Sequence, residues 1–167
     1  GGGYMLEFVQ RGGDRGYFPR PEGMPEVLHH LLIQRGVRSA EEAEAFLNPS
    51  AAQLRDPMLL NDMAEAVSRI RSAVAAGERI CVYGDYDVDG VCASAILYSY
   101  LRALGADAEV YLPSRHDEGY GLNEAAVRAI AQRCGLLVTV DCGIASHDLI
   151  ELAKPLGLGV VVTDHHP

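Results

Sequence analysis

The chain has 167 residues, of which 49% are apolar and 22% are charged, and its formal net charge is −9. These proportions suit one globular domain with a substantial core and exclude wholesale disorder. The acidic balance argues against a protein that coats nucleic acid through positive charge, but clustered carboxylates are what divalent cations need as ligands. The sequence has no apolar run long enough to span a membrane and no signal-peptide pattern, so we expect a cytoplasmic protein with free thiols.

The first part of the chain is predicted to be a tail followed by short helices. Residues 1–24 are rich in glycine, arginine and proline, and we expect a flexible tail whose three leading glycines are compatible with an expression remnant. Residues 25–60 form a helical N-terminal segment in this interpretation. Its second helix has Ser39 as the cap and Glu42 three residues later, which is the spacing of a capping box.

From residue 61 onwards a long helix, capped by Asn61 or Asp62, leads into alternating strands and helices. The predicted strands cover residues 79–83, 108–112, 136–140 and 159–163, and the helices between them cover residues 91–104, 123–133 and 146–156. The strands are mainly apolar and do not alternate between apolar and polar residues, which is typical of a parallel sheet covered on both faces. We therefore predict an α/β fold with a mainly parallel, doubly wound sheet in the flavodoxin-like order 2-1-3-4, accompanied by a small helical N-terminal segment.

Acidic and imidazole side chains follow three of these strands. The first strand runs into GDYDVDG at residues 84–90, the third into DCG at residues 141–143, and the fourth into DHH at residues 164–166. Parallel strands bring their carboxyl ends to one edge of the sheet, where ligands bind in such folds. Because so many like charges repel one another, we predict a divalent cation site, and mixed carboxylate and imidazole donors favour Mn²⁺ or Mg²⁺. Asp141 is placed to bridge two such ions.

Two other interpretations of the first acidic segment are weaker. The order Asp-x-Asp-x-Asp-Gly also begins an EF-hand, but that loop needs a glutamate at its twelfth position, where Ile96 stands, and a helix before it. A flavodoxin-like receiver domain also places aspartates at strand ends, but it does not require the Asp-His-His of residues 164–166.

Taken together, residues 85–90, 141–143 and 164–166 resemble motifs I, II and III of the DHH phosphoesterase superfamily. They are most similar to the RecJ-type exonucleases, which degrade single-stranded DNA in the 5′→3′ direction. Three further segments favour the RecJ type: RHDEGYGL at residues 115–122, LRDPM at residues 54–58, and the helical lead-in with Arg35-Gly36 and FLNP at residues 46–49. The resemblance covers residues 25–167.

The resemblance implies a role for each motif residue. Two Mn²⁺ ions, or Mg²⁺ in their place, would be held by Asp85, Asp87, Asp89, Asp141 and His165, with Asp141 as the bridge and Asp85 as either a ligand or an outer support. The catalytic pair would be His166, which contacts the scissile phosphate, and Asp164, which orients the histidines. Substrate contacts would come from Arg115, Tyr120 and Gly143.

The implied activity is metal-dependent hydrolysis of the 5′-terminal phosphodiester of single-stranded DNA, which releases 5′-mononucleotides in DNA repair and recombination. Single-stranded DNA is the implied partner, with single-strand-binding protein or other repair proteins as further candidates and no membrane. The alternatives are a small-substrate DHH phosphoesterase, acting on oligoribonucleotides, cyclic dinucleotides or pyrophosphate, and a non-catalytic DHH module.

Two features depart from the family pattern. Some members have histidine where this chain has Tyr83, which puts the strength of the first metal site in question. The chain also ends at Pro167, before the fourth motif and the cleft-closing domain of the family. We therefore expect residues 61–167 to be the N-terminal part of a DHH catalytic domain, cut after motif III, with little or no turnover in isolation.

Overall fold

The computed structural model describes residues 18–114 and 121–166. The chain divides into two compact units, one that ends at Asp56 and one that begins at Pro57. Among the described residues, no helix combines the length and the apolar character needed to cross a bilayer.

The first unit contains two short helices, α1 (Glu26–Gln34) and α2 (Ala40–Leu47). The Ser39 hydroxyl accepts a hydrogen bond from the Glu42 N–H at 3.1 Å, as the capping-box pattern predicts. The Glu42 carboxylate accepts from the N–H of Arg38 at 2.7 Å, one residue before the cap. The small core of this unit consists of buried apolar residues from both helices and the flanking chain: Phe18, Leu32, Val37 and Ala43.

The second unit is the α/β domain. Its elements are α3 (Met63–Ala76), β1 (Ile80–Gly84), α4 (Val88–Ala103), β2 (Ala108–Tyr111), α5 (Glu124–Ala131), β3 (Leu136–Val140), α6 (His147–Ala153) and β4 (Gly159–Thr163). The four strands form one sheet in the order β2-β1-β3-β4, and every pair is parallel. The predicted fold class and strand order are therefore confirmed.

The two central strands are apolar because helices cover both of their faces. Every residue of β1 and β3 is buried. On one face Cys81, Tyr83 and Leu137 pack against α5 and α6. On the other face Ile80 and Val138 pack against α3 and α4. This two-sided burial positions the ends of β1 and β3 rigidly, and those ends carry the acidic residues.

Two helix boundaries differ from the sequence prediction by three residues, each for a local reason. Helix α4 begins at Val88 rather than at residue 91, because the Asp87 carboxylate accepts the Gly90 N–H at 2.9 Å and caps the helix earlier. Helix α6 ends at Ala153, where a 3₁₀ turn takes over around Pro155, which has no N–H to continue the ladder. Asp62 precedes α3 with φ 57°, and within the described ranges its side chain makes no capping hydrogen bond.

Candidate metal centre

The acidic segments emerge side by side at one edge of the sheet. Gly84 at the end of β1 is paired with Val140 at the end of β3, and Val140 is paired with Thr163 at the end of β4. The ladder continues one residue further, because the Asp141 N–H donates to the Thr163 carbonyl at 3.0 Å. The acidic segment of motif I follows a strand and not a helix, which contradicts the EF-hand interpretation.

Asp141 and the two histidines of motif III form a compact group of potential ligands. Among the described residues, one ligand atom each from Asp141, His165 and His166 lie within 4.8 Å of one another. His165 Nε2 lies 2.7 Å from Asp141 Oδ1, and the two imidazoles stack with their centroids 4.4 Å apart. Asp141 is buried and has φ 61°, a left-handed conformation that is uncommon for a residue other than glycine.

The second carboxylate oxygen of Asp141 is suited to bind a cation. Asp141 Oδ2 is buried, and no described residue donates a hydrogen bond to it. A buried carboxylate oxygen without a partner is costly, whereas a divalent ion would satisfy it directly. The neighbouring donors are an imidazole pair, and this combination of oxygen and nitrogen ligands suits Mn²⁺.

Asp164 holds His166 in place. Its Oδ1 accepts the His166 N–H at 3.0 Å and lies 2.7 Å from Nδ1 of the His166 ring, while Oδ2 accepts the Ile144 N–H at 3.0 Å. Burial alone would raise the pKa of Asp164, but these hydrogen bonds outweigh it and the pKa lies below its usual value. The hydrogen bond to Asp164 in turn raises the pKa of His166, which favours the protonated ring.

Asp87 and Asp89 lie at the N-terminal end of α4. Asp87 is the N-cap of α4, and Asp89 is an exposed residue in its first turn. Neither belongs to the three-residue group around Asp141 among the described residues. The charge of Asp87 nevertheless reaches that group, because it contributes to the raised pKa of His166.

Cys142 shows how closely the carboxylates converge. Burial is the largest cause that raises the pKa of its thiol to about 12. The remaining causes, in order, are the negative charges of Asp85, Asp164, Asp141 and Asp87. Aspartates from the ends of β1, β3 and β4 therefore act on one buried sulfur atom, as the parallel topology predicts.

Asp85 differs from Asp141 in the hydrogen bonds that its carboxylate oxygens accept. It is fully buried, and both of its oxygens accept backbone N–H groups: Oδ1 from Tyr86 at 2.7 Å and Oδ2 from Gly121 at 3.2 Å. Gly90 makes room for it, because a Cβ atom at Gly90 would lie 2.5 Å from the Asp85 carbonyl oxygen. The structure thus places Asp85 in a buried site in which each carboxylate oxygen accepts one backbone N–H.

Of the three residues predicted to contact substrate, only Gly143 lies within the part of the chain that the structure describes. Arg115 and Tyr120 lie outside the described residues. Gly143 is buried with φ 106°, and a Cβ atom there would lie 2.9 Å from the Thr139 hydroxyl oxygen. This glycine is therefore required by backbone conformation and packing, and its contact with substrate stays a prediction.

Comparison with known protein families identifies the domain. The model for the DHH family, N-terminal domain, matches residues 79–167. The chain belongs to the DHH family. The match spans the whole α/β sheet and all three clusters of acidic and imidazole residues, so the DHH motifs account for the convergence seen at the sheet edge.

The DHH relatives that the chain resembles are exonucleases. It is 44% identical over 137 residues to the single-stranded-DNA-specific exonuclease RecJ of Bacillus subtilis, an alignment that covers 81% of this chain and 17% of the relative. A crystal structure of exonuclease RecJ bound to manganese is 42% identical, has a TM-score of 0.62, and is matched over 65% of this chain and 28% of that chain. RecJ from Thermus thermophilus in complex with Mn²⁺ is 34% identical with a TM-score of 0.62, over 84% and 19% of the two chains.

Sequence patterns alone did not reveal three contacts in this DHH domain. The Tyr83 hydroxyl donates to the Gly121 carbonyl at 2.8 Å, and its ring stacks on Tyr111 with centroids 5.3 Å apart. Tyr83 is therefore an ordered core residue with a polar tip. The N–H of Ile144, which binds Asp164, also carries no sequence signal, because any residue except proline supplies an N–H.

Proposed function

We propose that this DHH domain is the metal-binding part of a Mn²⁺-dependent exonuclease that degrades single-stranded DNA in the 5′→3′ direction and releases 5′-mononucleotides. The observation that carries the proposal is the buried, unpartnered Oδ2 of Asp141 beside two imidazoles. The relatives support it, since their names specify single-stranded DNA and manganese. The chain spans only 17–28% of those relatives, so the complete activity is proposed for the whole protein.

The ligands that we propose for two ions come from three strand ends. Asp141 would bridge the two ions, His165 would bind one of them, and Asp87 and Asp89 would bind from the N-terminal end of α4. Divalent ions in such a site lower the pKa of water and offset the negative charge of a phosphate. The sequence left Asp85 as a ligand or an outer support, and its occupied oxygens favour the second role.

We propose that the His166 side chain contacts the scissile phosphate. Asp164 engages Nδ1, so Nε2 is the ring nitrogen that remains for a phosphate oxygen. The raised pKa of His166 favours the protonated ring, which is the better donor to a developing negative charge. Asp164 acts through this ring, because its buried carboxylate contacts Nδ1 and thereby orients the imidazole.

We propose contacts with the DNA strand for three residues that the sequence indicates. Arg115 would bind a backbone phosphate, Tyr120 would stack on a base, and the tight turn at Gly143 would let the strand approach closely. From the similarity to the RecJ exonucleases we also propose a role in cytoplasmic DNA repair and recombination, with single-strand-binding protein as a candidate partner.

The test is an assay with a 5′-phosphorylated single-stranded oligonucleotide that carries a 3′ fluorophore. In the whole protein, to which we assign the complete activity, we expect Mn²⁺-dependent binding of the oligonucleotide and mononucleotide release from its 5′ end, with a blunt duplex left intact. His166→Ala should abolish release, whereas His147→Ala should not, because His147 is an exposed histidine on α6 outside the group around Asp141. The absence of any Mn²⁺-dependent binding or cleavage, or a preference for cyclic dinucleotides or pyrophosphate, would contradict the proposal.

A further inference from the structure

An aliphatic side chain is exposed at the sheet edge that carries the metal centre. Ile144 is 56% exposed, although the three residues before it, at positions 141–143, are buried. It belongs to neither of the two apolar clusters that form the core of the α/β domain among the described residues. The Ile144 side chain therefore contributes little to that core, and its apolar surface faces solvent.

Hydrogen bonds join the Ile144 backbone to the histidine that we propose for the scissile phosphate. The Ile144 N–H donates to Asp164 Oδ2 at 3.0 Å, and the other oxygen of that carboxylate lies 2.7 Å from His166 Nδ1. The Ile144 nitrogen is therefore within about 8 Å of His166 Nδ1, the greatest span of two such hydrogen bonds joined through one carboxylate. The structure thus places Ile144 beside His166.

The turn that carries Ile144 is restrained on both sides. Gly143 has φ 106°, and a Cβ atom there would lie 2.9 Å from the Thr139 hydroxyl oxygen. On the other side, the Ser146 N–H donates to the Gly143 carbonyl at 2.9 Å. Together with the bond to Asp164, these contacts restrain the Ile144 backbone. A side chain held in this way loses little conformational entropy when it contacts a ligand.

The chemistry of a nucleic acid strand indicates what the Ile144 side chain would contact. Each phosphodiester adjoins two nucleosides, so a phosphate at His166 brings a base close to Ile144. Bases in a single strand expose faces that proteins bind with little regard to sequence, because every base has such a face. In a duplex these faces are covered by neighbouring base pairs, so a contact of this kind favours a single strand.

We propose that the Ile144 side chain contacts a base that adjoins the scissile phosphate, and that it adds to the affinity for single-stranded DNA without selecting a sequence. This inference rests on the proposed function. Ile144 takes no part in metal binding, because an aliphatic side chain offers no ligand atom and the Ile144 N–H already donates to Asp164.

The test measures KM and kcat of the whole protein with Mn²⁺ on two 5′-phosphorylated oligothymidylates. One oligonucleotide carries all its bases, and the first two residues of the other are abasic. Ile144→Ala removes most of the apolar surface and keeps the N–H, whereas Ile144→Leu keeps a side chain of similar size. Leu156→Ala is the matched control, because Leu156 is also exposed but lies in the 3₁₀ turn that precedes β4, at the opposite edge of the sheet.

The expected pattern is a loss of affinity that depends on the bases. Ile144→Ala should raise KM on the intact oligothymidylate about fivefold, the effect of losing part of one aliphatic contact, and leave kcat within about twofold of wild type. On the abasic oligonucleotide the two proteins should have equal KM values, since the contacted base is missing. Ile144→Leu should restore most of the affinity, and Leu156→Ala should match wild type. Calorimetry on the 167-residue chain should give equal Mn²⁺ affinities for wild type and Ile144→Ala.

Several results would overturn the inference. An unchanged KM in Ile144→Ala, or an equal rise on both oligonucleotides, would show that Ile144 contacts no base. Loss of Mn²⁺ binding in Ile144→Ala would show that Ile144 supports the metal centre instead. If Ile144→Ala fails to fold, Ile144→Thr, which keeps the branched shape and adds a polar group, provides the same comparison. A wild-type protein that cleaves no oligonucleotide would reject the proposed function and this contact with it, whereas cleavage with an unchanged KM in the variant would reject the contact alone.

Discussion

Asp141 carries three features that each cost stability in a folded protein. Its backbone has φ 61°, its side chain is buried, and its Oδ2 has no hydrogen-bond donor among the described residues. Left-handed backbone conformations and unpartnered buried oxygens each cost on the order of 1 kcal/mol or more. Such costs are concentrated at functional sites, where they hold a group ready for a ligand.

At the residue scale we predict that Asp141→Asn separates stability from metal binding. Asparagine tolerates the left-handed conformation, and the substitution removes one of the negative charges around Cys142. The free energy of unfolding of the metal-free chain should rise by about 1 kcal/mol, because active-site carboxylates are kept at the expense of stability. Urea unfolding with and without Mn²⁺ checks this, and a less stable variant that still gains stability from Mn²⁺ would contradict it.

The roles of single residues were only partly readable from the sequence. The aspartate and histidine types, together with their positions after apolar segments, were enough to predict a carboxylate–imidazole site at one sheet edge. Whether an aspartate faces an ion or a backbone N–H depends on the path of other segments. Asp85 differs from Asp141 because Gly121, 36 residues further along the chain, donates to it, and no local pattern encodes that contact.

At the scale of elements, helix α4 and strand β1 approach each other through glycines. A Cβ atom at Gly84 would lie 2.0 Å from the Ser94 hydroxyl oxygen, and one at Gly90 would lie 2.5 Å from the Asp85 carbonyl oxygen. The first turn of α4 therefore sits directly on the end of β1. This close contact fixes Asp87 and Asp89 relative to Asp141, which lies on the neighbouring strand end.

We expect Gly90→Ala to show how tight this contact is. An added methyl group in a fully packed contact with backbone atoms costs about 1–3 kcal/mol, so the free energy of unfolding should fall by about 2 kcal/mol. Cys92→Ala, at an exposed position on the same helix, should change it by less than about 0.5 kcal/mol. Chemical denaturation of the two variants beside wild type is the measurement. Equal stabilities would show that α4 does not rest on β1 in this way.

The sequence predicted the order of the strands and helices more accurately than their first and last residues. The strands of the sheet are apolar runs bounded by glycine or acidic residues, so their existence and parallel arrangement followed from pattern alone. The predicted start of α4 lies too late in the sequence because Asp87, a predicted metal ligand, also caps the helix. The predicted end of α6 lies too far along the chain because Pro155 ends the helix and a 3₁₀ turn follows.

At the scale of the whole molecule, the buried thiols report on the integrity of the sheet. Burial is the main cause that raises the pKa of Cys81 to about 12 and that of Cys134 to about 11, so almost no reactive thiolate is present at pH 8 in the folded chain. Cys92 is exposed on α4. We expect iodoacetamide at pH 8 to modify Cys92 rapidly and to spare Cys81 and Cys134, as read by peptide mass spectrometry. Equal labelling of the three would contradict the two-sided packing of the sheet.

The α/β domain concentrates negative charge at one sheet edge. We expect divalent cations to offset the repulsion among these carboxylates. An ion that binds only the folded chain stabilises it by about 2.7 kcal/mol at a concentration one hundred times its dissociation constant. We therefore expect Mn²⁺ to raise the melting temperature of wild type and of Asp148→Ala, which removes an exposed carboxylate on α6. The rise should be absent in Asp141→Ala, and an equal rise in all three would point to nonspecific ion binding.

The most direct test of the metal centre is calorimetric titration of the chain with Mn²⁺, with Asp141→Ala and Asp148→Ala measured alongside. We predict saturable binding in wild type and in Asp148→Ala, and its loss in Asp141→Ala, because among the described residues only Asp141 offers a buried carboxylate oxygen beside the two imidazoles. Absence of binding at millimolar Mn²⁺, or binding that survives in Asp141→Ala, would contradict the assignment of this sheet edge as the metal centre.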